Sequence, residues 1–262
     1  MSKFSINYFF KKLIFLIPRK LRFKIFNLKT LKLYNTKTGK YYLPLFALRD
    51  VVRNHIINDQ IFDEKIYEIS KKFIKEDSIV VDAGANYGQM SILFSKVKKN
   101  VHVLSFEAYK YIYDILLKNI KINNANVTPI HCIIGDTSKK GLLIIKSNLK
   151  NSNNYGSNKV VLSNNFKNAD IVDSIMLDEL NINKKISFMK IDVQGYDLKV
   201  LRGAKKTILK HKMPIIIEYS KEFETDFNYN FLDFQKCLLE IDYKITKQID
   251  EANYLIESNN LR

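Results

Sequence analysis

Four acidic residues each follow a short, mainly apolar run directly: Asp82, Glu107, Asp192 and Glu218. Runs of this kind are typical of parallel strands that helices cover on both faces. The carboxyl ends of such strands meet at one edge of an open sheet, where ligands bind. A single acid there could simply end a strand or begin a helix. Four acids at the same position relative to their strands favour a ligand site.

The bend after the first of these strands is Asp82-Ala83-Gly84-Ala85-Asn86-Tyr87-Gly88, and a predicted helix follows it. Gly84 permits a tight turn and close approach of the backbone to a ligand. Gly88 stands where the helix begins, and we expect a side chain there to collide with a bound molecule. The spacing matches neither G-x-G-x-x-G nor the phosphate-binding G-x-x-x-x-G-K-[ST] pattern. A carboxylate in the bend suits a cation, so the pattern favours S-adenosylmethionine, which carries an ammonium and a sulfonium without phosphate.

Glu107 ends the next predicted strand. A carboxylate at this place can accept hydrogen bonds from both hydroxyls of a ribose. Both NAD and S-adenosylmethionine require such a contact, so the glycine spacing of the bend, and not Glu107, separates the two cofactors.

From residue 78 onward, short apolar runs alternate with stretches of helical periodicity. This order predicts an α/β fold with a doubly wound, mostly parallel sheet and right-handed crossovers. A last helix and two strands, with a turn at Asp250-Glu251, predict an antiparallel hairpin at one edge. The predicted strands are 79–81, 101–106, 127–134, 186–191, 214–217, 242–247 and 252–257, and the predicted helices are 87–98, 109–122, 197–210 and 230–240.

The alternation lapses over residues 137–169 and begins only after residue 76. Outside it, we predict amphipathic helices over 4–28, a hairpin over 31–46, a helix over 59–76, and a hairpin of 142–146 with 158–162 around a polar loop at 151–158. We therefore divide the chain into a basic N-terminal extension, 1–76, and a ligand-binding domain, 77–262.

Positive charge is concentrated at the N-terminus. The chain has a net charge of +16, and residues 1–50 hold twelve Lys and Arg against Asp50 alone. One interpretation is a compositional bias toward Lys, and the other is attraction of residues 1–30 to an anionic membrane surface. The scarcity of acids in this segment favours the second. Packing of the segment on the domain is a further alternative.

Other classes of protein find little support. No apolar run reaches the ~18 residues that span a bilayer, and no cleavage site for secretion follows the apolar segment 13–17. The two cysteines, Cys132 and Cys237, predict buried thiols in a reduced, cytoplasmic protein. Ligands at zinc spacing are absent from the sequence, so we predict no metal site.

Three segments together resemble the FkbM family of methyltransferases. They are Val81 to Ser91, Phe106-Glu107, and Phe188-Met189-Lys190-Ile191-Asp192-Val193-Gln194-Gly195-Tyr196-Asp197 with Val200-Leu201-Arg202-Gly203-Ala204. The resemblance covers about residues 78–220. It implies a seven-stranded Rossmann-like methyltransferase sheet and transfer of a methyl group to a hydroxyl, commonly on a sugar or a polyketide.

The resemblance also implies roles for single residues. Asp82, Gly84, Asn86 and Gly88 would surround the methionine part of the cofactor, Glu107 with Ala108 would hold the ribose, Asp136 would lie near the adenine, and Asp192 would lie beside the cofactor. The stretch 154–157 resembles a loop over the acceptor. The chain departs from the family in Ala108, Gln194 and Asp197, where Pro, Glu and Glu are usual. A role of either Glu as a base or metal ligand is therefore in doubt here.

Asp192 and Glu218 are the candidate catalytic residues, as a base or as groups that orient the acceptor. For each, a structural role is the alternative, and for Asp192 this would be capping of the amides of Gly195 and Tyr196. Lys190 is expected to face a helix or the rim, without a catalytic role.

The predicted function is S-adenosylmethionine-dependent O-methylation of a small-molecule or glycan acceptor. A nucleic-acid methyltransferase is one alternative. The cations cluster at the N-terminus, however, and no Asn-Pro-Pro-Tyr-like segment for base extrusion follows the fourth strand. A catalytically inactive protein that binds a membrane surface is the other alternative, and the intact cofactor residues argue against it.

Overall fold

Strands and helices alternate along most of the protein in a computed structural model, which describes residues 30–146, 159–161 and 169–260. In chain order the helices and strands are β1 (Leu31–Thr36), β2 (Gly39–Pro44), α1 (Val51–Ile57), α2 (Glu64–Ser70), β3 (Ile79–Ala83), α3 (Gln89–Phe94), β4 (His102–Glu107), α4 (Lys110–Ile122), β5 (Val127–His131), β6 (Ile133–Ile134), β7 (Lys139–Lys146), β8 (Lys159–Val161), β9 (Ala169–Ile175), β10 (Ile186–Ile191), α5 (Asp197–Gly203), α6 (Lys205–His211), β11 (Ile215–Glu218), α7 (Glu224–Phe227), α8 (Phe231–Glu240), β12 (Tyr243–Gln248) and β13 (Asn253–Ser258).

A seven-stranded sheet forms the centre of the fold. Its spatial order is β12, β13, β11, β10, β3, β4, β5. Strands β11, β10, β3, β4 and β5 are parallel, whereas β13 is antiparallel to both β11 and β12. The predicted α/β class, the mostly parallel sheet and the antiparallel edge hairpin are therefore confirmed. Because β13 inserts between β11 and β12, the edge strand is β12.

Different helices cover the two faces of this sheet. Val81 of β3 packs in the same core as Leu201 of α5 and Phe234 of α8. The preceding residue, Val80, packs on the opposite side with Phe94 of α3. Side chains alternate between the faces of a strand, so a strand covered on both sides must be apolar at successive positions. This explains the continuous apolar run of β3.

Residues 133–175 contribute a second, four-stranded sheet in the order β6, β9, β7, β8. The predicted hairpin is confirmed, because Ile144 pairs with Val161 and Lys146 pairs with Lys159. The predicted single strand over 127–134 is wrong in one respect. It breaks at Cys132, and its two parts join different sheets. Strand β9 was not predicted, and the polar loop 151–158 lies outside the described residues.

Two of the predicted helices are divided or shortened in the structure. The helix predicted over 197–210 divides into α5 and α6, and Gly203 stands at the junction. A Cβ atom on Gly203 would lie 1.7 Å from the carbonyl oxygen of Gly135. The helix predicted over 59–76 is confined to α2. It cannot begin earlier, because Asp59 and Asp63 have φ angles of 61° and 57° that a right-handed helix cannot contain.

The N-terminal hairpin β1–β2 is present as predicted, and it packs on α4. Asn119 of α4 accepts a hydrogen bond from the amide of Tyr42 at 2.7 Å and donates one to the carbonyl of Tyr87 at 2.9 Å. The hydroxyl of Tyr87 donates to the buried Asp50 at 2.9 Å. The helices predicted over 4–28 lie outside the described residues, and the division into 1–76 and 77–262 stays a prediction. Among the described helices, none combines the length and apolar character that a bilayer crossing requires.

Candidate active site

A cavity of about 330 Å³ opens at the carboxyl ends of the parallel strands. Of the residues predicted from the sequence, Gly84, Asn86, Glu107, Ala108, Asp192 and Glu218 line it. Asp82, Gly88 and Asp136 do not. Strands β3, β4, β10 and β11 thus bring the acids at their carboxyl ends to one place, except that Asp82 lies below the cavity surface.

The two glycines of the bend have left-handed backbones, with φ angles of 88° at Gly84 and 87° at Gly88. An added Cβ at Gly84 would lie 1.8 Å from the backbone oxygen of Asp192, so the closest neighbour of this glycine is another strand end. An added Cβ at Gly88 would meet the end of the Leu116 side chain at 2.4 Å. Gly84 therefore allows β3 and β10 to approach each other at the cavity wall.

Glu107 is held in place by the backbone. One carboxylate oxygen accepts from the amide of Asn86 at 2.9 Å, and the other accepts from the amide of Tyr109 at 2.8 Å. Burial raises the pKa of Glu107 to about 7, although these amides act in the opposite direction. A carboxylate can accept about four hydrogen bonds. Both oxygens therefore retain acceptor capacity for donors in the cavity.

Asp82 is almost completely buried, below the bend. Its Oδ2 accepts a hydrogen bond from Ser91, which in turn accepts one from Ser105 at 2.7 Å. Its Oδ1 is buried and has no hydrogen-bond partner among the described residues. Burial raises the pKa of Asp82, and the nearby charge of Lys190 lowers it.

The predicted position of Lys190, facing a helix or the rim, is wrong, because this residue lines the cavity and only 5% of its side chain is exposed. The expectation that it has no catalytic role stays a prediction. Its Nζ atom lies 2.8 Å from Oδ2 of Asp192, and its backbone pairs with Asp82 on β3. Burial opposes the charge of Lys190, but Asp192, Asp82 and Asp63 hold its pKa above the ordinary value. The sequence could not place Lys190 beside Asp82, because the pairing of β10 with β3 joins residues more than 100 positions apart.

Asp192 and Glu218 share the side chain of Gln194, whose Nε2 lies 3.3 Å from a carboxyl oxygen of each. Burial opposes ionisation of Asp192, but the ion pair with Lys190 keeps its pKa below the ordinary value. Burial, reinforced by the charge of Asp192, raises the pKa of Glu218 to about 10. At neutral pH Asp192 is therefore ionised and Glu218 is protonated.

The capping role considered for Asp192 belongs to Asp197. The carboxylate of Asp197 accepts from the amides of Val193 at 3.1 Å and Gly195 at 2.9 Å. This leaves the Asp192 side chain in the cavity. Asp197, which stands where the family usually has Glu, therefore organises this turn.

Residues before the central sheet, which no sequence pattern marks as part of a site, complete the cavity wall. They are Val51, Val52, Phe62 and Asp63. Gln89 of α3 fixes this segment, because it accepts from the amide of Phe62 at 3.0 Å and donates to the carbonyl of Gln60 at 2.9 Å. No local pattern marks Asp63, which lies outside the alternation of strands and helices.

Asp136 follows β6 and does not line the cavity. Its Oδ1 atom lies 3.9 Å from Nζ of Lys199. The wall near Glu107 is instead apolar and includes Phe106, Ile112 and Ile133. The stretch 154–157 is outside the described residues. Within the described part of the chain, no group of three or more His, Cys, Asp or Glu is arranged to hold a metal ion.

The chain is similar to known methyltransferases over most of the central sheet. The model of the methyltransferase FkbM domain matches residues 82–247, more than half of the chain. Methyltransferase 1 of Beauveria bassiana (strain ARSEF 2860) is 26% identical over an alignment of 168 residues. The match covers 56% of this chain and 66% of that protein, so this chain spans just under two thirds of that protein's length. Methyltransferase sdnD of Sordaria araneosa is 26% identical over an alignment of 183 residues, and the match covers 58% of this chain and 69% of that protein.

A solved structure is also similar. The crystal structure of methyltransferase FkbM from Methylobacillus flagellatus KT shares 21% identity and a TM-score of 0.46, over 69% of this chain and 43% of that chain. The match to the family model begins at the bend and extends through the strands that carry Glu107, Asp192 and Glu218. The protein therefore belongs to the FkbM methyltransferase family.

Proposed function

We propose that this protein is an S-adenosylmethionine-dependent O-methyltransferase that methylates a hydroxyl of a sugar or glycan precursor. The charge of the cavity carries the proposal. Among the described residues that line it, the acids Asp63, Glu107 and Asp192 outnumber one cation, Lys190. The fourth lining acid, Glu218, is protonated at neutral pH and adds no charge. Such a lining repels a pyrophosphate and favours a ligand with positive groups, as the sulfonium and ammonium of S-adenosylmethionine provide.

The residues around the cavity fit the parts of this cofactor. Glu107 is already oriented by two amides and has acceptor capacity for two ribose hydroxyls. The apolar wall that includes Phe106, Ile112 and Ile133 suits an adenine ring. The Gly84–Asn86 bend lies against the end of β10, with Asp192 close to it, and suits the methionine part. The unpartnered oxygen of Asp82 adds negative potential below the bend.

The bound cofactor would supply an activated methyl group, so the chain must mainly align the acceptor oxygen with it. Alignment of this kind can contribute ~7–11 kcal/mol to catalysis. Asp192 is ionised and is fixed by Lys190 and Gln194. In this proposal it accepts a hydrogen bond from the acceptor, and the protonated Glu218 donates one. Together, carboxyl and amide groups offer both donors and acceptors for the hydroxyls of a sugar.

The proposal includes a cellular setting. The +11 charge of residues 1–50 suggests peripheral contact with the anionic inner face of a membrane through residues 1–30, in a cytoplasmic enzyme. Deletion of residues 1–30 should abolish sedimentation with vesicles that contain phosphatidylserine, without changing cofactor affinity. Equal sedimentation of the full chain and the deletion variant would refute the membrane contact.

Two measurements test the enzymatic function. Isothermal titration calorimetry should detect binding of S-adenosylhomocysteine and no comparable binding of NAD. Mass spectrometry should then find a gain of one methyl group on members of a panel of methyl glycosides and short oligosaccharides incubated with S-adenosylmethionine. The variant Asp192→Asn should reduce methyl transfer, and circular dichroism checks that it is folded although Lys190 loses its charged partner. Absence of S-adenosylhomocysteine binding, or tighter binding of NAD, would refute the proposed cofactor.

A further inference from the structure

Asp63 lines the cavity although it precedes the part of the chain that matches the family model. It occupies the N-cap position of α2, where an Asp normally uses its carboxylate to bind the amides of the first helical turn. The Asp63 side chain makes no such bond, and its backbone is left-handed with φ 57°. The residue therefore adopts an uncommon conformation that leaves its carboxylate free of the usual capping role.

The other carboxyl groups of the cavity are already engaged. Both oxygens of Glu107 accept from backbone amides. Both oxygens of Asp192 accept from side chains, and Glu218 is protonated beside Gln194. Among the described residues, none donates a hydrogen bond to the carboxylate of Asp63 in the structure. Glu107 and Asp192 keep further acceptor capacity, but these bonds hold them in place, whereas Asp63 has no hydrogen bond from the described residues. Asp63 is therefore the lining carboxylate best placed to receive a proton from a bound acceptor.

The charged groups around Asp63 come from three elements. His55 lies on α1, Lys190 and Asp192 lie at the end of β10, and Asp250 lies in the turn before β13. Burial raises the pKa of Asp63 to about 6, with Asp192 and Asp250 acting in the same direction and Lys190 and His55 opposing it. A base is most effective when its pKa lies near the working pH.

We propose that Asp63 is the general base of the methyl transfer, an inference that rests on the function proposed above. As the O–H bond of the acceptor breaks, its proton moves to the carboxylate of Asp63. The acceptor oxygen bonds to the methyl carbon of S-adenosylmethionine, and the electron pair of the broken carbon–sulfur bond stays on sulfur. Asp63 then releases the proton to solvent. Asp192 and Glu218 orient the acceptor.

The chain offers a matched control for this proposal. Asp59 also has a left-handed backbone, with φ 61°, but it is exposed and its carboxylate accepts from the amide of Lys37 at 2.9 Å. Asp63→Asn and Asp59→Asn make the same chemical change in the same backbone conformation, which Asn tolerates well. Asp63→Glu restores a carboxylate at a slightly different place.

The experiment compares these variants of the full chain. It measures S-adenosylhomocysteine affinity by calorimetry. It also measures kcat, and the pH dependence of kcat/KM, for the methyl glycoside that the unmodified protein methylates fastest in the panel. S-adenosylmethionine is kept at saturating concentration at every pH, so that the titration of Glu107 does not contribute to the profile. For Asp63→Asn we expect kcat to fall ~10²–10⁴-fold. The decline of kcat/KM below pH about 6 should disappear. S-adenosylhomocysteine affinity should change less than threefold. Asp63→Glu should recover part of the rate and the acidic decline. Asp59→Asn should match the unmodified protein in all three measurements.

Two results would overturn the role of Asp63. A rate for Asp63→Asn within threefold of the unmodified protein, with the same acidic decline, would show that another group accepts the proton. A tenfold or greater loss of S-adenosylhomocysteine affinity would show that Asp63 binds the cofactor instead. Failure of the unmodified protein to bind S-adenosylhomocysteine or to methylate any glycoside would instead reject the proposed function, and with it this inference.

Discussion

Substitution of Gly84 by Ala should be among the most damaging single changes in this protein. A residue with a Cβ atom at φ 88° is strained by ~1–2 kcal/mol. The new atom would also lie 1.8 Å from the backbone oxygen of Asp192, well inside the 3.0 Å below which real Cβ atoms are essentially never found. Overpacking of this kind typically adds ~1–3 kcal/mol. We therefore expect Gly84→Ala to lower the free energy of unfolding by ~2–5 kcal/mol in total.

Gly88→Ala is the matched control, because Gly88 has nearly the same φ angle of 87°. Its added Cβ would meet the end of the buried Leu116 side chain and no backbone atom, so a shift of one side chain can relieve the contact. This variant should lose less than Gly84→Ala, mainly the ~1–2 kcal/mol of backbone strain. Urea unfolding followed by circular dichroism measures both losses, and calorimetry measures S-adenosylhomocysteine affinity. Equal destabilisation of the two variants, or unchanged affinity in Gly84→Ala, would refute the claim that Gly84 permits the contact between the bend and β10.

Three further predictions follow from the buried polar groups. Glu107 must be ionised to accept two ribose hydroxyls, and its pKa is about 7. S-adenosylhomocysteine affinity should therefore decrease as pH falls through 7. Calorimetry of Glu107→Gln should show ~10–100-fold weaker binding without this decrease. Lys190→Met breaks a buried ion pair and should cost ~3–5 kcal/mol in urea unfolding at neutral pH. This cost should shrink in acid, because protonation of Asp192 removes the buried charge that Lys190 pairs with. The lowered pKa of Asp192 places the end of this change at low pH. A cost independent of pH would contradict the reasoning. Tyr87→Phe removes the hydroxyl that donates to Asp50 at 2.9 Å and should cost ~1–3 kcal/mol in the same assay, and a neutral effect would argue against that bond.

The fold was largely predictable because its strands and helices carry strong local patterns. The apolar runs of β3, β10 and β11 and the turn at Asp250-Glu251 identified the parallel sheet and its antiparallel hairpin. The predictions failed where distant contacts decide. Strand β9 forms through pairing with β7 and β6, and the break at Gly203 follows from its contact with Gly135. Neither contact leaves a periodic pattern in the sequence.

The sequence by itself determined which acids would meet at one edge of the sheet, because parallel strands bring their carboxyl ends together whatever their exact neighbours. It placed Glu107, Asp192 and Glu218 at the cavity on this ground. Only the tertiary structure decided the charge states and the remaining members of the site. Lys190 meets Asp82 through the pairing of β10 with β3, and Asp63 reaches the cavity from a segment outside that sheet. Burial and neighbouring charges set the pKa values of these groups, and both depend on residues that are remote along the chain.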